Sequence, residues 1–568
     1  MIVQFLLSSV LAYFVWSIIC LEINVRKARA LDVPYVRLPI DSNNVPWTII
    51  QPYVWNILDR FPIRWSSYPD FIRYSRRGWH FADKSETHLR LGSVWALVTP
   101  VAIYLHFADP DAIHDIFTRR SDFVRPVKEY KLLEVYGPCI STAGWDDWSR
   151  HRKVLAAPFN ESIMKFVWDE SLTQARAMLR SWTSAAEAGI PSTQRDTRTL
   201  SLNVLAATGF RKSYEFHGSA DLVVDEIGSY RDSLQTVLDN IIPLMLIPYS
   251  VLTGPMVPKS WARIGNAAVS FKKYMMKMLE EETTALNQGN PGSGSIMTAF
   301  VHALNVHNQE SSISDPKDED IKKGLSVDEI FGNLFVINFA GHDTTANTLA
   351  FSMLLLAAYP QVQTWISEEI TAVTKDKSVE EWDYKSIFPH LKRCRAVLLE
   401  TLRVYPPIMA LPKWTSRRAQ TIKVGDRMLT IPPGISTIPY LRAVQSHPKY
   451  WPDPYTWKPS RWILQPAPAV SPSTYQISDE ELLVPRQSTY FPWSDGPQNC
   501  PGKKFAEVEA VAVLACIFKT HRLHIMKEVG ESNEAAQQRA LDCTNDVNME
   551  MLLRMTNADQ VKLICRAA

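Results

Sequence analysis

Cys500 stands in Phe491-Pro-Trp-Ser-Asp-Gly-Pro-Gln-Asn-Cys-Pro-Gly502, a loop that leads directly into an apolar helical pattern. A thiolate is favoured at a helix amino terminus, where unpaired N–H groups and the macrodipole stabilise negative charge, so this sulfur can bind a metal. Pro501 suits a first helical turn, and Gly496 and Gly502 let the backbone bend and a flat ligand approach. An inert buried thiol is the plain alternative. Ala340-Gly-His-Asp-Thr-Thr345 sets an acid, Asp343, beside a hydroxyl, Thr344, within a long helical pattern. Such a pair can relay protons to a bound ligand from a kinked helix, or the hydroxyl can return to the carbonyl four residues earlier. His342 has no second ligand at i+4 and reads as a packing or surface residue. Glu400 and Arg403, three apart, share a helix face and can pair, whether buried or as a solvated surface pair. Trp148 and Arg152, four apart, can present an indole N–H and a guanidinium to one anion; a packed indole beside a solvated arginine is the alternative.

Helices must position most of these groups. Ser326-x-x-Glu329 is a capping box, and the pattern behind it runs unbroken to Tyr359-Pro360, on the order of 50 Å at 1.5 Å per residue. This predicts a central helix carrying Asp343 and Thr344. A second helix is predicted over 388–404, ending before Pro406-Pro407, and a last one over 503–520, directly after Cys500. The stretch 145–285 is helical in pattern, while 287–295 and 307–324 read as polar loops around a short helix. Residues 92–107 predict a β-hairpin, followed by a helix over 110–119. Thr421-Ile-Lys-Val-Gly-Asp-Arg-Met-Leu-Thr-Ile431 predicts another hairpin with a Gly-first turn. Proline is too frequent over 448–472 for a helix or central strand, and weak strands end the chain. The fold class is mainly α with a minor β-sheet portion.

The chain has 568 residues, 46% of them hydrophobic, with no repeat and no long polar linker, which favours one large domain. Its 61 Lys+Arg nearly balance 59 Asp+Glu, and no basic run marks a nucleic-acid binder. Seven scattered cysteines without a CxxC pair suggest neither a disulfide framework nor a structural zinc site, and fit a reducing compartment. Residues 1–21 carry no charge and are long enough to cross a bilayer. Arg26, Lys27 and Arg29 follow, so the expected topology is a transmembrane anchor (1–21), a basic linker (22–45) and a cytosolic catalytic domain (46–568). A signal peptide cleaved after Ala28-Arg29-Ala30 is the rival, opposed by the uncharged start and the long apolar run. In a cytosolic domain the sequon Asn160-Glu-Ser162 would stay unmodified.

Taken in order, Trp148-x-x-x-Arg152, Ala340-Gly-His-Asp-Thr-Thr345, Glu400-x-x-Arg403, Pro459-Ser-Arg461-Trp462 and the Cys500 loop resemble the cytochrome P-450 superfamily of haem-thiolate monooxygenases. The versions PWSDGPQNCPGKKF and KPSRW look most like those of filamentous fungi. The resemblance implies the cytochrome P-450 fold, with heme b between the central helix and the Cys500 loop and Cys500 as axial iron ligand. It implies that Asp343 and Thr344 organise water and deliver protons. Trp148, Arg152 and Lys413 would bind the haem propionates, with Gly502 beside the cofactor. Glu400, Arg403 and Arg461 match a buried ion triad that holds the proximal core. Two positions depart from the pattern: Gln498 replaces the usual Arg or His and offers a hydrogen bond without a charge, and Trp493 replaces Phe.

The implied partner is NADPH-cytochrome P-450 reductase in the endoplasmic reticulum membrane, so NADPH serves only indirectly. Arg150, Lys153, Lys503 and Lys504 would form its basic docking patch. Segment 123–143, Phe335, Asn338 and Phe339, and Ile408 to Leu411 would line a site for a hydrophobic small molecule, such as a terpenoid, polyketide or alkaloid intermediate of secondary metabolism. Oxygen insertion is the first expectation. Desaturation, ring closure or rearrangement at the same haem is the second, and a cofactor-free membrane scaffold the third.

Overall fold

The computed structural model describes residues 2–219, 229–313, 323–465, 476–549 and 551–568. Its axis is the helix Val327–Ala358, which begins at the capping box: Glu329 N–H donates to Ser326 Oγ, and Ser326 N–H to Glu329 Oε2. The helix is apolar on nearly every face, and most of its side chains are buried. It packs along Thr193–Phe210 and meets Lys392–Val404 and Lys503–Thr520, which share its largest hydrophobic cluster. The helix carrying Asp343 and Thr344 and the helix that follows Cys500 are therefore held by one core.

Beside this core lies a six-stranded sheet, ordered Tyr35–Arg37, Val94–Val98, Ile103–Phe107, Ser436–Pro439, Lys413–Thr415 and Phe123–Val124. The predicted hairpin over 92–107 is its centre, with Val94 opposite Phe107 and Val98 opposite Ile103. The helix after it spans Pro110–Thr118. The second hairpin pairs Gln420–Val424 with Arg427–Ile431, and Gly425 turns it at φ +58°, where a side chain would be strained.

Several boundaries differ from expectation. The helix Ile296–Ile313 occupies the start of the expected loop 307–324, because its apolar face of Met297, Phe300 and Val301 is already docked in the core and the polar residues beyond simply extend it. Residues 314–322 of that loop lie outside the described ones, as do 466–475 of the proline-rich stretch. The helix expected at 388 starts at Lys392, after a 3-10 turn at Phe388–His390. A helix at Asn533–Asn545 stands where only strands were expected; it buries just Ala536, Ala540, Cys543 and Thr544, too narrow a stripe to show as periodicity.

The amino terminus forms one helix, Ile2–Arg29. The side chains of 1–3, 6, 7 and 10, within the apolar run expected to be the anchor, lie outside the described residues. Leu11, Phe14, Trp16 and Ile18 are exposed, whereas Leu21, Val25 and Ala28 are buried against the sheet and Asn24 Nδ2 donates to the Thr99 carbonyl at 2.9 Å. Segment 22–45 is built into the body: Leu31, Val33, Val36 and Leu38 are buried and Tyr35–Arg37 is a sheet edge. Among the described residues no single helix is long and apolar enough to cross a membrane.

One core position makes a stability prediction. His106 is buried on Ile103–Phe107, stacks on Trp95 at 4.6 Å, and has no partner at either ring nitrogen. Burial, aided by His80 and His88, holds it neutral, well below the usual histidine range. His106→Phe keeps the stack and removes two orphaned polar atoms, so it is expected to stabilise the fold by about 1–2 kcal/mol. A depressed histidine also loses stability as pH falls below the ordinary value near 6.5, because only the unfolded chain takes up the proton there. The urea midpoint should accordingly separate variant from wild type more at pH 5 than at pH 7.

Candidate active site

Cys500 is exposed at the mouth of a 610 Å³ cavity shared with Arg152, Phe159, Arg395, Lys503 and Lys504. Its N–H donates to the Trp493 carbonyl at 2.8 Å, closing the loop, which bends through left-handed residues at Ser494 and Gly496. A Cβ on Gly496 would stand 2.7 Å from the Phe117 carbonyl oxygen, so glycine is required there for space as well as for its φ of +65°. Surrounding protein raises the thiol, and the Gly502 N–H and the Arg152 charge oppose that rise. Arg152 donates to the Asn499 carbonyl at 2.8 Å and to Asn499 Oδ1 at 2.7 Å, bracing the residue before the cysteine. The predicted helix runs over Lys503–Thr520, and Lys503 covers the Trp493 ring at 5.3 Å.

On the other side of this loop is a group of cations. Lys413 is buried and donates to Gln498 Oε1 at 2.5 Å. Arg125 donates to the Gln498 carbonyl at 3.2 Å and to the Ile140 carbonyl at 3.3 Å. Val124 pairs with Trp414 across the sheet, so Arg125 and Lys413 leave neighbouring strands side by side. Neither makes an ion pair among the described residues. Burial and the Arg125 charge push the Lys413 ammonium down to about 7. Trp148 is buried, with Nε1 lacking any partner, and the Arg120 guanidinium lies 4.8 Å over its ring. Arg125 escapes sequence reasoning because it belongs to no motif; strand pairing alone brings it to Lys413.

The ion triad is complete. Glu400 accepts from Arg403 at 2.8 and 2.9 Å and from Arg461 Nε at 2.9 Å, with Glu400 and Arg403 fully buried. Trp462 Nε1 and the Lys458 N–H add two more donors to the same carboxylate.

On the central helix, Thr344 Oγ1 donates to the Ala340 carbonyl at 2.8 Å, the bland outcome of the two considered. No break interrupts the helix at Gly341. Asp343 accepts from Arg198 Nε at 2.9 Å, and buried His342 bonds the Arg198 carbonyl at 3.2 Å, as a packing residue should. Upstream, Phe339 stacks on Phe335, Phe335 meets Tyr136, and Asn338 Nδ2 lies 3.4 Å from Tyr230 Oη. Met409 does not join that wall but is fully buried in the core, and Ile408 is exposed. Arg150 also differs from expectation. It is buried, bridges Glu329 at 2.6 Å and Asp147 at 2.9 Å, and so leaves the basic surface to Arg152, Lys153, Arg395, Lys503 and Lys504.

The family model described as Cytochrome P450 matches residues 78–545. The chain belongs to the cytochrome P450 family. A cytochrome P450 monooxygenase of Arthrobotrys oligospora is 29% identical over 96% of this chain and 95% of its own length. One from Penicillium roqueforti is 27% identical, covering 92% and 91%. The phomenoic acid biosynthesis cluster cytochrome P450 monooxygenase of Leptosphaeria maculans is 26% identical, covering 91% and 90%. This P450 is thus an oxidoreductase of the monooxygenase family, and the family implies haem.

The residues present fit such a group. A buried lysine and a half-buried arginine with no acid, and a buried indole N–H with no acceptor among the described residues, are groups that a pair of carboxylates would satisfy. An exposed cysteine just before a helix suits an axial thiolate. When bound, haem supplies the redox and oxygen-activating chemistry, which thiolate ligation favours.

Proposed function

We propose that this P450 is a reductase-dependent monooxygenase that inserts oxygen into a hydrophobic small molecule, with Cys500 as the iron ligand. The observation that carries this is the pairing of the pinned, exposed Cys500 with the acid-free group of Lys413, Arg125 and Trp148 across one loop. In this reading Trp148, Lys413, Arg125 and the Gln498 amide hold the propionates, and Arg152 braces Asn499 beside the sulfur. Asp343 and Thr344 deliver protons. Phe335 and Phe339 exclude water from the substrate side and offer aromatic contact to an apolar substrate. The name of the Leptosphaeria relative supports a place in secondary-metabolite biosynthesis. The reduced protein under carbon monoxide is expected to show the red-shifted Soret band of a thiolate complex; folded protein without it would overturn the proposal.

Lys413 adds a pH signature. An anion seated beside it raises its pKa from about 7 toward the ordinary lysine value, so haem binding takes up a proton and weakens as pH rises above about 7. Haem transfer to a scavenging apoprotein should quicken between pH 7 and pH 9, by at most about tenfold per unit. Lys413→Met should flatten that slope.

Lys503 and Lys504, beside Cys500, suit the acidic face of a reductase; Lys504 pairs with Glu161 in the free protein. The double variant Lys503→Glu/Lys504→Glu is expected to slow reduction by the reductase about tenfold or more at low salt and to flatten its salt dependence. Stopped-flow reduction measures both. Attachment to the endoplasmic reticulum membrane through residues 1–21 places the domain in the cytosol. Asn160, exposed and capping Glu161–Ser184 through Ile163 N–H at 3.1 Å, then carries no glycan; a glycan found there would reverse the topology.

A further inference from the structure

Trp493 stands where the resemblance expects phenylalanine, and its ring is the first of four aromatic rings in contact. Tyr490 lies 6.4 Å from it between centroids, Trp462 lies 4.6 Å from Tyr490, and Trp451 lies 5.3 Å from Trp462. All three separations fall within the about 4.5–7 Å of aromatic contact. The inner end belongs to the Cys500 loop, because the Cys500 N–H donates to the Trp493 carbonyl at 2.8 Å. The outer end, Trp451, lines a cavity of 970 Å³ beside Tyr450. Val484, 86% exposed, lines it too, as do exposed Lys449 and Lys458, so it opens to solvent. Neither lysine forms an ion pair among the described residues, and the one lining acid without a cation partner is Asp453, since Glu480 is held by Arg393. The four rings are not alike. Lys503 and Arg403 stand 5.3 Å over the Trp493 and Trp451 rings, and a cation there opposes removal of an electron from the ring. Trp462 Nε1–H instead faces the Glu400 carboxylate at 2.9 Å, which favours an oxidised indole, while Tyr490 Oη donates at 3.0 Å to the Leu399 carbonyl, which takes no proton.

We propose that Trp493, Tyr490, Trp462 and Trp451 carry oxidising equivalents from the haem site to a small anionic reductant of the ene-diol class, drawn to the cavity by Lys449 and Lys458. The proposal rests on the reading of Cys500 as the haem ligand. Indole and phenol rings yield an electron far more readily than a phenyl ring, and electron exchange falls steeply with distance. Phenylalanine at 493 would therefore separate the Cys500 loop from the next oxidisable ring. Each step moves one electron inward and leaves the next ring outward one electron short; no bond forms or breaks among the rings. Tyr490 bridges, since its proton has nowhere to go, and Trp462 holds the vacancy longest. Ascorbate at the cavity fills it, losing one electron and one proton to become its radical. Two ascorbates thus supply the two electrons and two protons that turn one hydrogen peroxide into two waters. The path lets the substrate-free enzyme discharge without damage to its haem or its cysteine.

The test treats substrate-free holoenzyme, its thiolate Soret band confirmed, with hydrogen peroxide in the presence and absence of ascorbate. Freeze-quenched electron paramagnetic resonance reads tryptophan radical, and loss of the Soret band reads haem damage. Wild type is expected to show the radical, and ascorbate to slow Soret loss about threefold or more. Trp493→Phe should lower the radical about threefold or more and remove most of the protection. Lys449→Glu combined with Lys458→Glu should keep the radical but need about tenfold more ascorbate for equal protection. A wild type without radical, or a Trp493→Phe enzyme in which either radical or protection is unchanged, overturns the path. An unchanged ascorbate requirement in the lysine double variant overturns its exit at the cavity. Should Trp493→Phe lose the Soret band, Trp451→Phe cuts the outer end only and is expected to keep the radical and lose protection; unchanged protection there also overturns the path. Folded wild-type protein that never shows the Soret band overturns the reading of Cys500 instead.

Discussion

Cys500→Ala is expected to leave a folded chain that has lost the thiolate Soret band and all reductase-driven product formation. The side chain is exposed, and the loop is closed by its backbone N–H on Trp493, a bond that alanine keeps. Truncating an exposed side chain away from the core shifts the stability of the haem-free chain by about 0.5 kcal/mol or less, so with both proteins haem-free the far-UV circular dichroism and the urea midpoint should hardly move. The variant separates chemistry from folding. A Cys500→Ala protein that kept the thiolate band would require another sulfur, yet Cys139, Cys394, Cys516, Cys543 and Cys565 are all buried and Cys20 lies on the amino-terminal helix Ile2–Arg29.

Glu400→Gln is expected to do the reverse, damaging the fold while leaving every candidate ligand in place. The carboxylate accepts five hydrogen bonds, from Arg403 twice, Arg461, Trp462 and the Lys458 backbone, at 2.8 to 2.9 Å. Removing its charge strands Arg403, which is fully buried and otherwise holds only the carbonyls of Gln445, Pro454 and Thr456. Breaking a buried pair in this way costs about 3–5 kcal/mol, against a total stability of roughly 5–15 kcal/mol. Urea unfolding should show the loss, and expression at lower temperature should recover some soluble protein. Glu400→Gln combined with Arg403→Met should be less destabilised than Glu400→Gln alone, because the fully buried charge is gone and the one left, Arg461, still holds the Asp453 and Thr456 carbonyls. A Glu400→Gln midpoint equivalent to under about 1 kcal/mol of loss would mean that the triad contributes little.

The contrast between these two residues shows what could be read beforehand. Cys500 and the Glu400–Arg403 pair lie in local patterns, a loop before a helix and an acid three residues before a base, that leave their chemistry open; the roles of sulfur and triad came from the resemblance carried by the order of the motifs, and Arg461 lies 61 positions from Glu400. The central helix is legible in outline, since its capping box and apolar run set its limits at Val327 and Ala358. Arg150 was legible only in part. Its position on a basic helix suggested a surface role, but Glu329 lies 179 residues away, and chain folding alone brings it within 2.6 Å. Arg198 offered no signal at all, since Asp343 is not its neighbour in sequence.

By itself, then, the order of residues determined the fold class and singled out Cys500 and the Asp343–Thr344 pair as candidates, because the helical patterns that carry them, and the order in which the motifs follow one another, are written along the chain. Tertiary structure alone decided that Arg125 stands beside Lys413, that Gln498 takes the lysine's hydrogen bond, and that Asp343 is held by Arg198. Those three facts are charge placements between distant segments. Buried charge is tolerated only where a partner arrives, and which partner arrives is settled by the packing of whole helices and strands.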